Sequence, residues 1–191
     1  DETRRVVDAA IDAGITYFDT ADVYGQTRSE EFLGNVLQGR RDRVVLATKF
    51  GSMGSPDGTL SGGHPDWVRR AVEDSLGRLQ TDVIDLYQIH WPNRNAPAFG
   101  ALYFDPKRDA EQTSIEAQLR AMETLVKAGK IRHVGLSNET PWGLMAFLRE
   151  AERHGLPRVA TVQNPYGLVN RVADSGLDEV LHREQVGLLA Y

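Results

Sequence analysis

Three features of the 191 residues predict a parallel β/α fold. Short apolar runs recur along the chain: ITYFD, VVLATK, VIDLYQIH, VGLSN, ATVQ and VGLLAY. Segments with helical periodicity separate them, and alternation of this kind builds parallel sheets. Each run closes on a polar residue, in turn Asp19, Lys49, His90, Asn138, Gln163 and Tyr191. Polar side chains at the carboxyl ends of successive strands are how a parallel barrel assembles an active site at one mouth. An open doubly wound sheet shares the alternation. Its Gly-rich dinucleotide fingerprint, GxGxxG, is absent from every strand-to-helix junction of the sequence.

The elements follow in order. Residues 1–13 read as a helix with Val6, Val7, Ala10 and Ile11 on one side and Gly14 as its stop. Strand ITYFD comes next. Ser29 is the expected cap of a helix reaching Leu37, with Glu30 and Glu31 favourable in its first turn. Strand VVLATK leads into residues 51–63, a loop rich in Gly, Ser and Pro. Pro65 suits the first turn of a helix whose Val68, Ala71, Val72, Leu76 and Leu79 form an apolar stripe. After strand VIDLYQIH, residues 91–113 carry three prolines and little periodicity. Long loops in compact domains are often functional, and this one is expected to cover the mouth of the barrel. Ser114 opens the next helix and Gly129 ends it. Strand IRHVGLSN precedes a helix that starts near Pro141 and is stopped by Gly155 and Pro157. Strand RVATVQ, a short helix over 175–183 and strand VGLLAY complete the pattern.

Composition narrows the function classes. The chain is 41% hydrophobic and 26% charged, ordinary for a globular protein, and its length suits one domain. A net charge of -5 argues against a nucleic-acid footprint, which is usually basic. With no cysteine, disulfides and thiolate metal sites are ruled out. No apolar run is long enough to span a bilayer and no signal-peptide pattern opens the sequence, so no membrane partner and a cytoplasmic location are expected. His64, His133, His154 and His182 have no metal-ligand spacing, and no metal is expected. Trp67 and Trp142 lie in helical segments and read as packing residues.

Taken singly, the polar strand ends have plain readings. A Lys ending a strand is most often a solvated terminus, and a Tyr in an Ala-Asp-x-Tyr-Gly loop a surface aromatic. Together, FDTADVYG, ATKFG, LYQIHWP, VGLSN, VQNPY and LLAY resemble the aldo-keto reductase family, in the right order and over nearly the whole chain. Within it, the long segment after His90 and NPYGLVNR are most similar to the bacterial Tas-type reductases. The resemblance implies a (β/α)8 TIM barrel that transfers hydride from NADPH to the carbonyl carbon of an aldehyde or ketone. It implies a catalytic tetrad of Asp19, Tyr24, Lys49 and His90. It also implies that Ser137, Asn138 and Gln163 bind the nicotinamide carboxamide, that Tyr191 stacks on the nicotinamide ring, and that Trp91 lines the substrate pocket.

That assignment is chemically coherent. A carbonyl accepting hydride needs its oxygen polarised and protonated. A phenol, with an unperturbed pKa of about 10, is a reluctant acid at neutral pH, and a neighbouring ammonium stabilises the phenolate it leaves. Lys49 is that ammonium, and Asp19 can hold it in place. Asp22 is a competing carboxylate, read as lying in the loop beyond the strand end. His90 can orient the carbonyl oxygen or relay the proton. Asn and Gln amides match a carboxamide in both hydrogen-bonding directions.

Against the full family pattern, the chain starts without Met in what should be the helix after strand one, and ends as strand seven finishes. Six of eight barrel strands are therefore expected in 1–191. The first strand, strand eight and the basic loop for the adenosine 2'-phosphate fall outside, and NADPH versus NADH preference and oligomeric state with them. Edge strands ITYFD and VGLLAY would be open, so the isolated residues are expected to be poorly stable or self-associating, with little NADPH-dependent turnover. Two other functions fit parts of the pattern. One is a non-catalytic cofactor-sensing or partner-binding subunit. The other is a lyase using Lys49 for a Schiff base.

Overall fold

The structure is a computed structural model that describes residues 2–51, 54–55, 57–60, 62–97, 103–109 and 113–191. Among the described residues, strands β1 (Tyr17–Asp19), β2 (Val45–Phe50), β3 (Ile84–Ile89), β4 (Ile131–Ser137), β5 (Val159–Asn164) and β6 (Gly187–Ala190) alternate with helices. The helices are α1 (Glu2–Asp12), α2 (Arg28–Leu37), α3 (Pro65–Leu79), α4 (Ile115–Lys127), α5 (Pro141–His154) and α6 (Leu177–Glu184). All six strands lie in one sheet in sequence order, each parallel to the next. Right-handed crossovers that always step the same way put every helix on one face, and the sheet curls around the other. A doubly wound sheet would reverse its strand order partway. The arrangement is therefore that of six successive units of a (β/α)8 barrel.

Strand alternation sorts the side chains between the two faces. Leu46, Phe50, Tyr87, Ile89 and Leu136 turn outward into a core shared with Val68, Val72, Leu119, Met122, Leu144 and Phe147 of the helices. The rings of Phe50 and Tyr87 stack there at 4.7 Å. The intervening residues face the concave side, where Lys49 is level with Gln88 and Gln88 with Gly135. Helices α2 and α3 pack so closely that a Cβ on Gly34 would stand 2.5 Å from the carbonyl oxygen of Arg78.

Capping matches the sequence in most places. The Ser114 hydroxyl accepts from the Ala117 amide at 3.1 Å, and Thr140 does the same for Gly143 ahead of α5. His64 accepts from the Asp66 amide at 3.2 Å before α3. Gly155 closes α5 at φ 62°. Three expectations need correction, and a fourth falls partly outside the described residues. Helix α2 starts at Arg28 behind Thr27, which has φ 75° and makes no side-chain cap bond; Ser29 instead accepts from the Thr20 hydroxyl. The ITYFD run yields only Tyr17–Asp19 as strand, because Ile15 still bonds back to the Ala10 carbonyl and is exposed. Trp142 does not pack inward: it is 62% exposed beneath the Arg94 guanidinium, 5.1 Å from its ring. Of residues 91–113, those at 98–102 and 110–112 lie outside the described residues. The described parts beyond Trp91, with Thr140, Pro141 and Trp142, line a cleft of their own of about 650 Å³.

Candidate active site at the carboxyl ends of the strands

Lys49, the fifth residue of β2, points into the concave face and is fully buried. A buried ammonium needs partners, and it has them. Its Nζ donates to Asp19 Oδ2 at 2.5 Å and to the Thr20 carbonyl at 2.8 Å. Tyr24 Oη lies 3.5 Å away, and the ammonium sits 4.9 Å from the centre of the Tyr24 ring. Asp19 ends β1 and Tyr24 follows in the loop before α2, so the pairing of β1 with β2 brings the three together. Tyr24 itself is 41% exposed, with its ring open to the cleft.

His90 follows β3 and meets the Tyr24 ring edge-on, 5.7 Å between centroids. Trp91 stacks on the His90 ring at 5.2 Å. Burial, seconded by the Lys49 charge, pushes the His90 pKa down to about 4, so its imidazole is neutral at physiological pH. Asp22, the rival carboxylate, lies in the loop beyond β1 but is buried there. It is 3% exposed, and its pKa is pushed up to about 7 by burial and by the neighbouring Glu30, with Arg78 and Lys49 opposing. Glu30 is itself buried and held by Arg78 and by Thr48, each at 2.6 Å.

The opposite wall is neutral. The Ser137 hydroxyl and the Asn138 amide both donate to the Gln163 carbonyl oxygen, at 3.0 and 2.9 Å. Asn138 adopts φ 57°, a left-handed conformation that Asn tolerates better than most residues. Its side-chain nitrogen donates to the His90 carbonyl at 3.0 Å, which ties the end of β4 to that of β3. Asn138 is thus a cross-strand tie; the cap of α5 is Thr140. Tyr191 donates its hydroxyl to Asn138 Oδ1 at 2.5 Å.

These groups share one cleft of about 600 Å³, lined by Asp19, Val23, Tyr24, His90, Trp91, Ser137, Asn138, Gln163 and Tyr191. All the residues singled out in the sequence line it except Lys49, which lies behind its wall. Val23 and Gln88 were missed. Gln88 is buried two residues before His90 and donates to Asp19 Oδ1 at 2.9 Å. A polar residue inside the apolar run LYQIH was the available signal. Elsewhere, His154 has partners that spacing could not reveal: its Nε2 lies 3.3 Å from Glu150 and 3.7 Å from Glu116 of the neighbouring helix. Arg120 also holds Glu116, at 2.8 Å, so the group reads as an ion-pair cluster.

The donor set suits a primary carboxamide. Ser137, Asn138 and Gln163 offer hydroxyl and amide groups that can both give and accept hydrogen bonds, with an aromatic ring beside them. No helix among the described residues is long and apolar enough to cross a membrane.

Comparison with known proteins agrees with this architecture. The chain matches the model of the aldo/keto reductase family over residues 1–191. It is 40% identical to protein tas of Escherichia coli over 200 aligned residues, covering 97% of this chain and 57% of that protein. It is 34% identical to the aldo-keto reductase YhdN of Bacillus subtilis, covering 98% of this chain and 50% of the relative. Among solved structures, the holo form of an aldo-keto reductase from Bacillus halodurans superposes with a TM-score of 0.77 at 30% identity, over 98% of this chain and 56% of that one. The chain thus spans about half the length of these relatives, and it belongs to the aldo-keto reductase family.

Proposed function

We propose that the protein carrying this chain is an oxidoreductase that reduces aldehyde or ketone carbonyls with hydride from NADPH. One observation carries the reading: a buried ammonium, pinned by Asp19 and the Thr20 carbonyl, lies within 3.5 Å of a cleft-facing tyrosine hydroxyl. In that role the bound nicotinamide would supply the hydride. Ser137, Asn138 and Gln163 would hold its carboxamide, Tyr191 its ring, and Trp91 would border the substrate.

The chain's own residues then handle the proton. Addition of hydride to the carbonyl carbon leaves negative charge on oxygen, and Tyr24 Oη gives its proton to that oxygen. The phenolate left behind is stabilised by Lys49 across 3.5 Å, and later takes a proton from solvent. Asp19 keeps the ammonium from turning away and compensates its buried charge. His90, uncharged, is placed to hydrogen-bond the oxygen without competing as an acid. Residues 1–191 are read as a single, incomplete barrel domain. Absence of cysteine suits a reducing compartment, hence the cytoplasm.

A Schiff-base role for Lys49 is disfavoured physically. Imine formation needs a neutral amine that a substrate can reach, and this one is fully buried in an ion pair. The test of the reductase reading is Tyr24→Phe. Carbonyl reduction should fall by about 10²–10⁴-fold, the usual contribution of a positioned acid, while NADPH binding measured by fluorescence titration stays the same. Near-normal turnover would remove Tyr24 from the mechanism, and borohydride trapping of substrate on Lys49 would revive the lyase.

A further inference from the structure

We propose that Gln88 is a positioning residue of this site: its side-chain amide fixes the Asp19 carboxylate so that only one oxygen is offered to Lys49. The inference rests on the carbonyl-reductase reading for its kinetic consequences, but not for its geometry.

Asp19 has two oxygens with different partners. Oδ2 accepts from Lys49 at 2.5 Å, and Oδ1 accepts from Gln88 Nε2 at 2.9 Å. Without a donor on Oδ1 the carboxylate could turn about its last torsion, a broad and soft one, and Lys49 would follow or lose its partner. The amide must face Asp19 with its nitrogen, because its oxygen would set two acceptors against each other. A neutral donor is also the right kind. An Arg or Lys at 88 would compete with Lys49 for the carboxylate, and an apolar residue would leave Oδ1 unheld on that side.

The surroundings restrain Gln88 in turn. It is fully buried, level with Lys49 on one side and Gly135 on the other. Gly135 is what makes room: a Cβ there would stand 2.9 Å from Gln88 Cγ and 2.8 Å from the Thr161 hydroxyl. With that space filled by its own side chain, Gln88 reaches along the concave face towards β1. Its Oε1 is buried without a hydrogen-bond partner among the described residues. An unsatisfied buried oxygen is costly, which a residue serving packing alone would avoid. The path Gln88–Asp19–Lys49–Tyr24 therefore links three strand ends and the loop that carries the hydroxyl.

Three substitutions in the protein carrying this chain test this, with Tyr24→Phe as the reference. Gln88→Met keeps the volume and removes the donor; kcat should fall about tenfold with the carbonyl KM within about twofold, the loss of one charge-assisted hydrogen bond in a barrier. Gln88→Glu should show pH rescue. Two carboxylates in contact share a proton, so at low pH the protonated Glu can donate to Asp19 as the amide does. Turnover should approach wild type at acidic pH and fall as pH rises, a limb the wild type lacks. Gln88→Leu should show a loss like that of Gln88→Met at every pH, with no acidic rescue. A crystal structure of Gln88→Met, which needs no turnover, should find the Asp19 carboxylate rotated away from Lys49. If Tyr24→Phe is inactive while Gln88→Glu keeps the wild-type pH profile, the reductase reading stands and the role of Gln88 is refuted. If the wild type reduces no carbonyl, the structure of Gln88→Met decides alone: an unmoved Asp19 overturns the proposal and a rotated one upholds it.

Discussion

The two walls of the cleft are built on different principles. The wall from β1 to β3 carries charge: Lys49 and Asp19 are paired at 2.5 Å, with the buried Glu30 held by Arg78 just behind. The cleft-lining side chains from β4 to β6 carry none, only hydroxyls and amides that bind one another as well as the cleft, and the buried Glu139 beyond β4 is paired with Arg94 outside that lining. Charge is stabilised by partners fixed in advance, and it suits the place where charge develops in a reaction. Neutral groups of both hydrogen-bonding polarities suit a place where a neutral ligand must be held and then let go. On the proposed reading, the difference gives proton chemistry to one side and cofactor retention to the other.

Lys49→Met is the most severe break of that division. It removes the ammonium beside Tyr24 and leaves Asp19 without its counter-charge, so turnover should fall by about 10²–10⁴-fold. Steady-state kinetics check it; equal losses from Lys49→Met and from neutral-wall variants would dissolve the contrast.

Asp22→Asn probes the cost of charge on the first wall. The folded carboxyl has its pKa raised to about 7. Its contribution to stability is therefore complete below the unfolded value and is lost as pH rises towards 7. The Asn variant has no such loss and should be more stable at pH 8, by up to ~4 kcal/mol for a shift of that size, with the difference shrinking towards pH 4. Denaturant titrations at the two pH values measure it. A stability gap that does not change with pH would mean that Asp22 is not held in its uncharged form.

On the neutral wall the expected effects are smaller. Asn138→Ala should weaken NADPH binding about tenfold, the worth of one hydrogen bond plus a lost strand tie, with kcat for saturated enzyme changed little. Fluorescence titration and steady-state kinetics separate the two. The smallest effect is an expected flatness. With its pKa pushed down to about 4, His90 should add no limb to the pH–rate profile between about pH 5 and 8. The same depression means that its contribution to stability is present above the unfolded value of about 6.5 and is lost as pH falls towards 4. A histidine limb near neutrality would place charge where this account has none.

How much of this was legible depends on how local each signal is. Asp19, Lys49 and His90 stand at the ends of apolar runs, so strand periodicity alone puts them at one mouth. Gln88 was legible in principle, two residues before His90 and so on its face, but a lone amide in an apolar run carries no partner's name with it. Asp22 was read as a loop residue beyond the strand end, which is where it lies, but its burial was not legible there. Its charged neighbours are Glu30 of α2 and an Arg78 of α3 that is distant in sequence. Trp142 misled because its hydrophobicity was read without its phase: Leu144, Phe147, Leu148 and Ala151 define the buried side of α5, and Trp142 lies off that stripe with Met145 and Arg149.

The central claim, that the charged wall delivers a proton while the neutral wall holds the hydride donor, is tested most directly by isotope tracing. The protein carrying this chain is given a carbonyl substrate and NADPH deuterated at the transferring position of the nicotinamide, and the alcohol is analysed by mass spectrometry. The account predicts one deuterium on the former carbonyl carbon, and loss of that product in Tyr24→Phe with NADPH binding unchanged. An alcohol without the label, or labelled product formed as fast by Tyr24→Phe as by the wild type, would contradict it.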